Sequence, residues 1–232
     1  MRIRLSAPLA PLAVLAAALA PLAAALPAAA GVLQITVTGA NGRPAADTVV
    51  LVRRAASFQP LDLSKPVVIT QKDIRFSPYV TVVPRGATVR FVNEDGYAHH
   101  VRSMPTGPLG SVAPAANFEF RLAAARGGNR PSADLVLDTP GAIALGCHLH
   151  GSMRGHILVS NTPWTAVTDA EGKATIDLPE GAGELQLWHP DQLAEQASRP
   201  VQVGSGTQAL PLQLNFNPPR RRVEAPRDEY RY

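Results

Sequence analysis

The 232-residue chain has a single cysteine, Cys147. No internal disulfide can form, so the fold must rest on its packed core. Helical periodicity is also missing: no stretch repeats apolar residues at helical spacing for more than two turns. Beyond residues 1–30 no run is long and apolar enough to cross a bilayer. Net charge is scarce as well. The formal +4 resides at the two ends, in Arg2 and Arg4 and in five arginines set against three acidic residues over 218–232. The body, 31–217, is neutral, which argues against a nucleic-acid partner. There is no nucleophile elbow and no Gly-rich phosphate loop, so neither serine-hydrolase nor nucleotide chemistry has a signature here.

What is present begins with residues 1–4, which are basic. An Ala/Leu-rich run extends to Leu26, and Ala28-Ala29-Ala30 end it with small residues. This is the layout of a secretory signal peptide, with cleavage expected after Ala30. A retained membrane anchor is the alternative; Pro8, Pro11, Pro21 and Pro27 favour cleavage. About 200 mature residues suit one or two small domains. An exported compartment is oxidising, and a lone thiol there needs a metal or deep burial to protect it. At the other end, 217–232 with Arg220-Arg221-Arg222 reads as a solvated, disordered basic tail.

Between these ends the pattern is β. Leu33, Ile35 and Val37 alternate with Gln34, Thr36 and Thr38, the period of a half-buried strand. Asn41-Gly42-Arg43-Pro44 is a turn, and 49–52 is a short buried strand. Strands follow at 67–69, 80–83, 88–93, around Phe118 and Phe120, and at 135–137, 143–147 and 156–160. In a last block, Asp169-Ala170-Glu171-Gly172 turns, 173–178 alternates, and 201–203 and 210–214 supply final strands. Leu185 and Leu187 share one face with Trp188 opposite; Trp164 and Trp188 are expected in this block's core. Only 191–197 reads as helical. The class is an all-β sandwich.

The chemistry concentrates in Gly146-Cys147-His148-Leu149-His150-Gly151-Ser152-Met153. Cys147, His150 and Met153 put a thiolate, an imidazole and a thioether three residues apart on a tight loop that can wrap one ion. Two histidines and a cysteine in a plane, with a weak axial methionine, suit copper. Zinc is less well served, because methionine is a poor zinc ligand and structural zinc sites favour several cysteines. The second imidazole must come from elsewhere. Tyr97-Ala98-His99-His100-Val101 offers it, in a loop after strand 88–93 and the turn Glu94-Asp95-Gly96. Both His99 and His100 are candidates. His148 reads as an exposed loop residue, His156 as structural, His189 as a strand-end residue and Met104 as packing.

Together these residues resemble a cupredoxin, the blue-copper fold of plastocyanin, azurin and amicyanin. The motifs are Ile74-x-Phe76-x-Pro78, Gly86-x-x-Val89-x-Phe91-x-Asn93-x-Asp95, His99-x-Val101, and Leu137-Asp138-x-Pro140-Gly141 ahead of Cys147-x-x-His150-x-x-Met153. The short ligand spacing is similar to amicyanin's. The resemblance covers about 66–160 and implies a Greek-key sandwich holding one type 1 copper ion on His99, Cys147, His150 and Met153. It implies an electron carrier rather than an enzyme, with His150 as the electron port, Leu149 in the docking patch, and a redox partner such as a periplasmic cytochrome or dehydrogenase. Asn93 matches an asparagine that ties the two ligand loops together, and Asp95 stands behind the ligands with it. His100 occupies the family's usual asparagine position, so His100, and with it His148, stays as a lesser candidate ligand.

The flanks carry a second resemblance. The run from Gly42 to Val50, then Thr168-Asp169-x-x-Gly172-x-Ala174-x-Ile176-x-Leu178-Pro179-x-Gly181 and Leu185-x-Leu187-Trp188-His189-Pro190, resemble a carboxypeptidase-regulatory-like (transthyretin-like) sandwich. This implies one sandwich from 31–58 and 161–216, interrupted by a cupredoxin at 66–160. The whole is similar to periplasmic proteins of methylamine utilisation, which implies proximity to amine oxidation, and the export signal implies a periplasmic location. The rival readings are a copper module for delivery, storage or sensing, and a scaffold with structural copper.

Overall fold

The structure, a computed structural model, describes residues 30–54 and 61–219. The expected signal segment up to residue 29, and the tail from residue 220, lie outside the described residues. Two strands come first, β1 (Ala30–Thr38) and β2 (Val49–Arg53). Nine follow: β3 (Val67–Lys72), β4 (Arg75–Ser77), β5 (Val80–Pro84), β6 (Ala87–Asn93), β7 (His99–Met104), β8 (Glu119–Leu122), β9 (Ser132–Leu137), β10 (Gly141–Cys147) and β11 (Arg154–Ser160). Five close the chain: β12 (Thr165–Val167), β13 (Lys173–Pro179), β14 (Gly181–Trp188), β15 (Arg199–Val203) and β16 (Gly206–Gln213). The all-β expectation holds; among the described residues the one helical element is a 3₁₀ turn, Pro108–Gly110.

The helix expected at 191–197 is absent. A segment this short cannot repay helix nucleation without a buried stripe, and its Leu193 is 75% exposed. Its polar side chains bond elsewhere instead: Gln196 Oε1 accepts from the Asn215 N–H, and its amide donates toward the Gln213 carbonyl.

The nine middle strands pair only with one another, in sheets of order β4-β3-β6-β9 and β5-β11-β10-β7-β8. The outer strands do the same, in sheets β13-β1-β16 and β12-β2-β14-β15. Strand β1 runs antiparallel to β13 and parallel to β16, so the start and end of the described chain lie side by side. Each pair of sheets encloses its own core. One centres on Phe91, Leu137, Ile143, Leu145 and Ile157; the other on Leu33, Ile35, Val52, Leu185 and Leu214.

A third, smaller cluster of Val49, Leu51, Val80 and Leu158 joins the two halves. This accounts for the uninterrupted apolar run in β2. Val50 and Val52 face the outer strands' core while Val49 and Leu51 face the junction, so neither side of the strand meets water. Trp164 packs against the outer strands' core as expected, but Trp188 packs at the junction. It lies on the opposite face of β14 from Leu187, where its ring meets His156 of β11.

One unforeseen strand positions the site. His99 and His100 do not follow a strand in a loop; they begin β7. The alternation is clear in the burial of His99, His100 and Val101, with the first and third inside. In sequence a histidine on the apolar face hides that period.

Candidate metal centre

Strands β7 and β10 are antiparallel neighbours, with Val101 opposite Cys147. His99 and Cys147 therefore face the same interior, one fully buried and the other 3% exposed. Past the end of β10 the chain turns, and the Met153 N–H donates to the His150 carbonyl (3.0 Å). The turn returns His150 to the thiol and places Met153 in the buried cluster that contains Cys147. Cys147 Sγ lies 3.7 Å from His99 Nδ1 and 3.6 Å from His150 Nδ1. The three donor atoms all fall within 4.8 Å of one another.

These spacings can be compared with what one ion demands. With bonds of ~2.0 Å to nitrogen and ~2.3 Å to sulfur, a planar ~120° arrangement sets nitrogen and sulfur about 3.7 Å apart. The two sulfur–nitrogen spacings match what one first-row metal ion requires, and the two imidazoles would close toward each other to bind it. The thiolate, the His99 imidazole and a neighbouring thioether are buried, with the half-buried His150 imidazole completing a donor set that matches a soft or borderline ion.

The other ring nitrogen of His99 is also fixed. Nε2 donates to Asp95 Oδ2 (2.8 Å), which leaves Nδ1 as the lone-pair atom facing Cys147. The Asp95 carboxylate in turn accepts the N–H groups of Asp73 (2.7 Å) and Ile74 (3.2 Å). Both residues have positive φ, 53° and 56°, a strained conformation for a β-branched residue such as Ile74. The carboxylate that orients His99 also pins this turn.

Charge follows the same contacts. Burial works against ionising Asp95, but the hydrogen bonds from His99, Asp73 and Ile74 outweigh it and hold the carboxyl below its usual range. Burial also disfavours a charged His99; Asp95 and then Cys147 reverse that and raise it. For Cys147, burial is again the largest influence and opposes the thiolate. Hydrogen bonding with the His99 ring, then from the His100 N–H, with the His150 ring and from the Leu149 N–H, overcomes it and lowers the thiol to about 6. Tyr97, which sequence reasoning missed, roofs the pair: its ring packs on His99 (5.5 Å between centroids) and on His150 (5.4 Å).

Asn93 is fully buried, but its partners differ from those implied by the resemblance. Its Nδ2 donates to the carbonyls of Tyr97 (2.8 Å) and Ala123 (2.7 Å), and its Oδ1 accepts the Asp95 N–H (2.9 Å). It ties the 94–97 turn to the segment after β8, not to the cysteine loop. Strand β8 is the edge of its sheet, with β7 between it and β10. The two ligand segments are joined by backbone instead. The His100 N–H donates to Cys147 Sγ (3.4 Å), and the His148 N–H donates to the His100 carbonyl (3.0 Å).

The structure thus brings His99, Cys147 and His150 together, with Met153 in the adjoining core and Asn93 and Asp95 behind His99. His100 and His148 lie on the outer face of the sheet, each beside Glu119. His156 bonds the Tyr79 hydroxyl (2.8 Å), and His189 sits just past β14 with Nδ1 accepting the Asp191 N–H. Met104 packs over Gly146, where an added Cβ would come within 2.7 Å of its sulfur.

No family model matches the chain, and no curated protein matches it. Solved structures do. One is the "Cu-containing nitrite reductase (NirK) from Thermus scotoductus SA-01" at 24% identity and TM-score 0.35, covering 47% of this chain and 24% of that one. Another is the "Novel Purple Cupredoxin from Nitrosopumilus maritimus", at 22% identity and TM-score 0.33, covering 40% of this chain and 99% of that one. A third is the oxidized P96G mutant of amicyanin, at 17% identity and TM-score 0.30, covering 48% of this chain and 98% of that one. The chain thus spans about a quarter of the nitrite reductase's length, and each likeness covers under half of this chain.

Proposed function

We propose that this protein is a type 1 copper protein of the cupredoxin kind, which carries single electrons between redox partners in the periplasm. The observation that carries the reading is the convergence of buried His99 and Cys147 with half-buried His150, their sulfur–nitrogen spacings at 3.7 and 3.6 Å, beside buried Met153. Copper on these four residues supplies a one-electron couple between Cu(I) and Cu(II).

The chain's own groups hold that site in one shape. Asp95 fixes the His99 ring, and the N–H groups of His100 and Leu149 steady the thiolate. Two paired strands carry His99 and Cys147, so neither ligand needs to move when the charge changes. Buried surroundings exclude water from His99, Cys147 and Met153. His150 is only half-buried, and Leu149 (49% exposed) and Tyr97 (40% exposed) flank it. That edge suits a redox protein that docks weakly and briefly. In this reading 66–160 is the electron-carrying unit, and the outer strands, β1, β2 and β12 to β16, form a sandwich that supports it. Residues 1–30 serve as the export signal.

Spectroelectrochemistry and stopped-flow mixing with a periplasmic c-type cytochrome test the role. We expect one electron per chain, taken up reversibly, with copper retained in both states and rapid exchange with the cytochrome. Copper loss on reduction, or no exchange, would point instead to delivery or storage.

A further inference from the structure

The sheet that buries His99 and Cys147 on one face carries their sequence neighbours on the other. Side chains alternate along β7, and His148 continues the alternation just past β10, so His100 and His148 point away from the core. The ladder then brings them together. The His148 N–H donates to the His100 carbonyl, and the two rings lie 4.9 Å apart between centroids. Strand β8 supplies a third group. Glu119 is paired with Arg102, two residues along from the His100–Arg121 pair, and so shares the outer face. Glu119 Oε1 is 2.8 Å from His100 Nε2 and 3.3 Å from His148 Nε2. All three side chains reach solvent, at 32%, 40% and 52% exposure.

From this convergence we propose that His100, His148 and Glu119 form a second metal site, for a divalent transition cation of the zinc or copper(II) class. Two imidazole nitrogens and one carboxylate oxygen, drawn from three neighbouring strand segments, are a donor set that such ions favour. The solvent side leaves room for water to complete the shell. Hard cations are excluded, because calcium and magnesium require many oxygen ligands. Arg102 and Arg121 lie on the same face, so charge alone does not hold a cation there; the nitrogen donors do. In the bound form each Nε2 carries metal and each ring keeps its proton on Nδ1. With no sulfur donor, this site gives no intense visible band. It stands whether or not the buried centre holds copper, since the two donor sets share no side chain.

Zinc titration of the full chain tests it, followed by equilibrium dialysis and by proton–nitrogen NMR of the histidine rings. The expected result is that the His100 and His148 rings shift on zinc binding. The double variant His100→Ala/His148→Ala loses one zinc per chain, while His99→Ala/Cys147→Ser leaves that zinc in place. Glu119→Gln weakens it by about tenfold, and excess magnesium does not displace it. These substitutions at the outer site touch exposed side chains, and the unchanged NMR signals of the buried His99 ring serve as the fold control. Unmoved His100 and His148 rings, an undiminished zinc count in the double variant, or unchanged affinity in Glu119→Gln would overturn the assignment.

Discussion

Cys147 is poised as a thiolate before any metal arrives. In the metal-free chain its thiol ionises near 6, against 9.0 for an unperturbed group. Between those values the unfolded chain binds the extra proton, so stability from this group rises with pH. Its contribution is full above pH 9 and is lost as pH falls through 6. His99, raised above its ordinary value, runs the other way: its contribution is present below 6.5 and is lost as pH rises through the folded pKa. A pH titration of thiolate ultraviolet absorbance should show a midpoint near 6; a midpoint near 9 would contradict the account. Asp95→Asn removes the anion that orients His99 and should weaken copper binding by about 10–100-fold in a competition assay. At this scale the ligand types were legible, because Cys147, His150 and Met153 are close in sequence and soft in character. Which of His99 and His100 faces inward was not, because it depends on the phase of β7. Nor was the carboxylate bridge from Asp95 to Asp73 and Ile74, which only the folded chain brings together.

Elements hold the site through buried polar ties. Asn93 satisfies two carbonyls and one N–H where water cannot reach. Asn93→Ala should cost about 3 kcal/mol in urea unfolding, since it leaves several buried groups unpaired; a cost near zero would show that the turn relaxes freely. Close packing matters as much. A Cβ at Gly155 would stand 2.9 Å from the Phe76 Cβ, so Gly155→Ala should force β11 and β4 apart and lower the melting temperature. Alternating strands such as β1, β6 and β13 were legible from their period. Strand β7 was obscured by a histidine on its inner face, β12 by its three-residue length, and the false helix at 191–197 came from local composition with nothing to pack against.

Across the whole molecule, the outer strands close on one another while the middle nine build separate sheets. The two halves meet through Val49, Leu51, Val80 and Leu158. Leu158→Ala should cost about 2–5 kcal/mol of stability, yet leave the copper spectrum unaltered, because the residue lies outside the core that holds the ligands. A changed spectrum would mean that the junction shapes the site. The all-β class was legible from strand periods and turn residues. The seating of Trp188 at the junction was not, because its face of β14 also carries the exposed Ala182 and Glu184 and so gives no sign that its far end is covered.

Copper titration of the purified chain, read by visible absorption and electron paramagnetic resonance, tests the central claim most directly. The account predicts one buried copper with an intense thiolate-to-copper visible band, which is absent in Cys147→Ser and retained in His100→Ala. A colourless protein with the resonance spectrum of ordinary copper(II), or a visible band that survives Cys147→Ser, would contradict it.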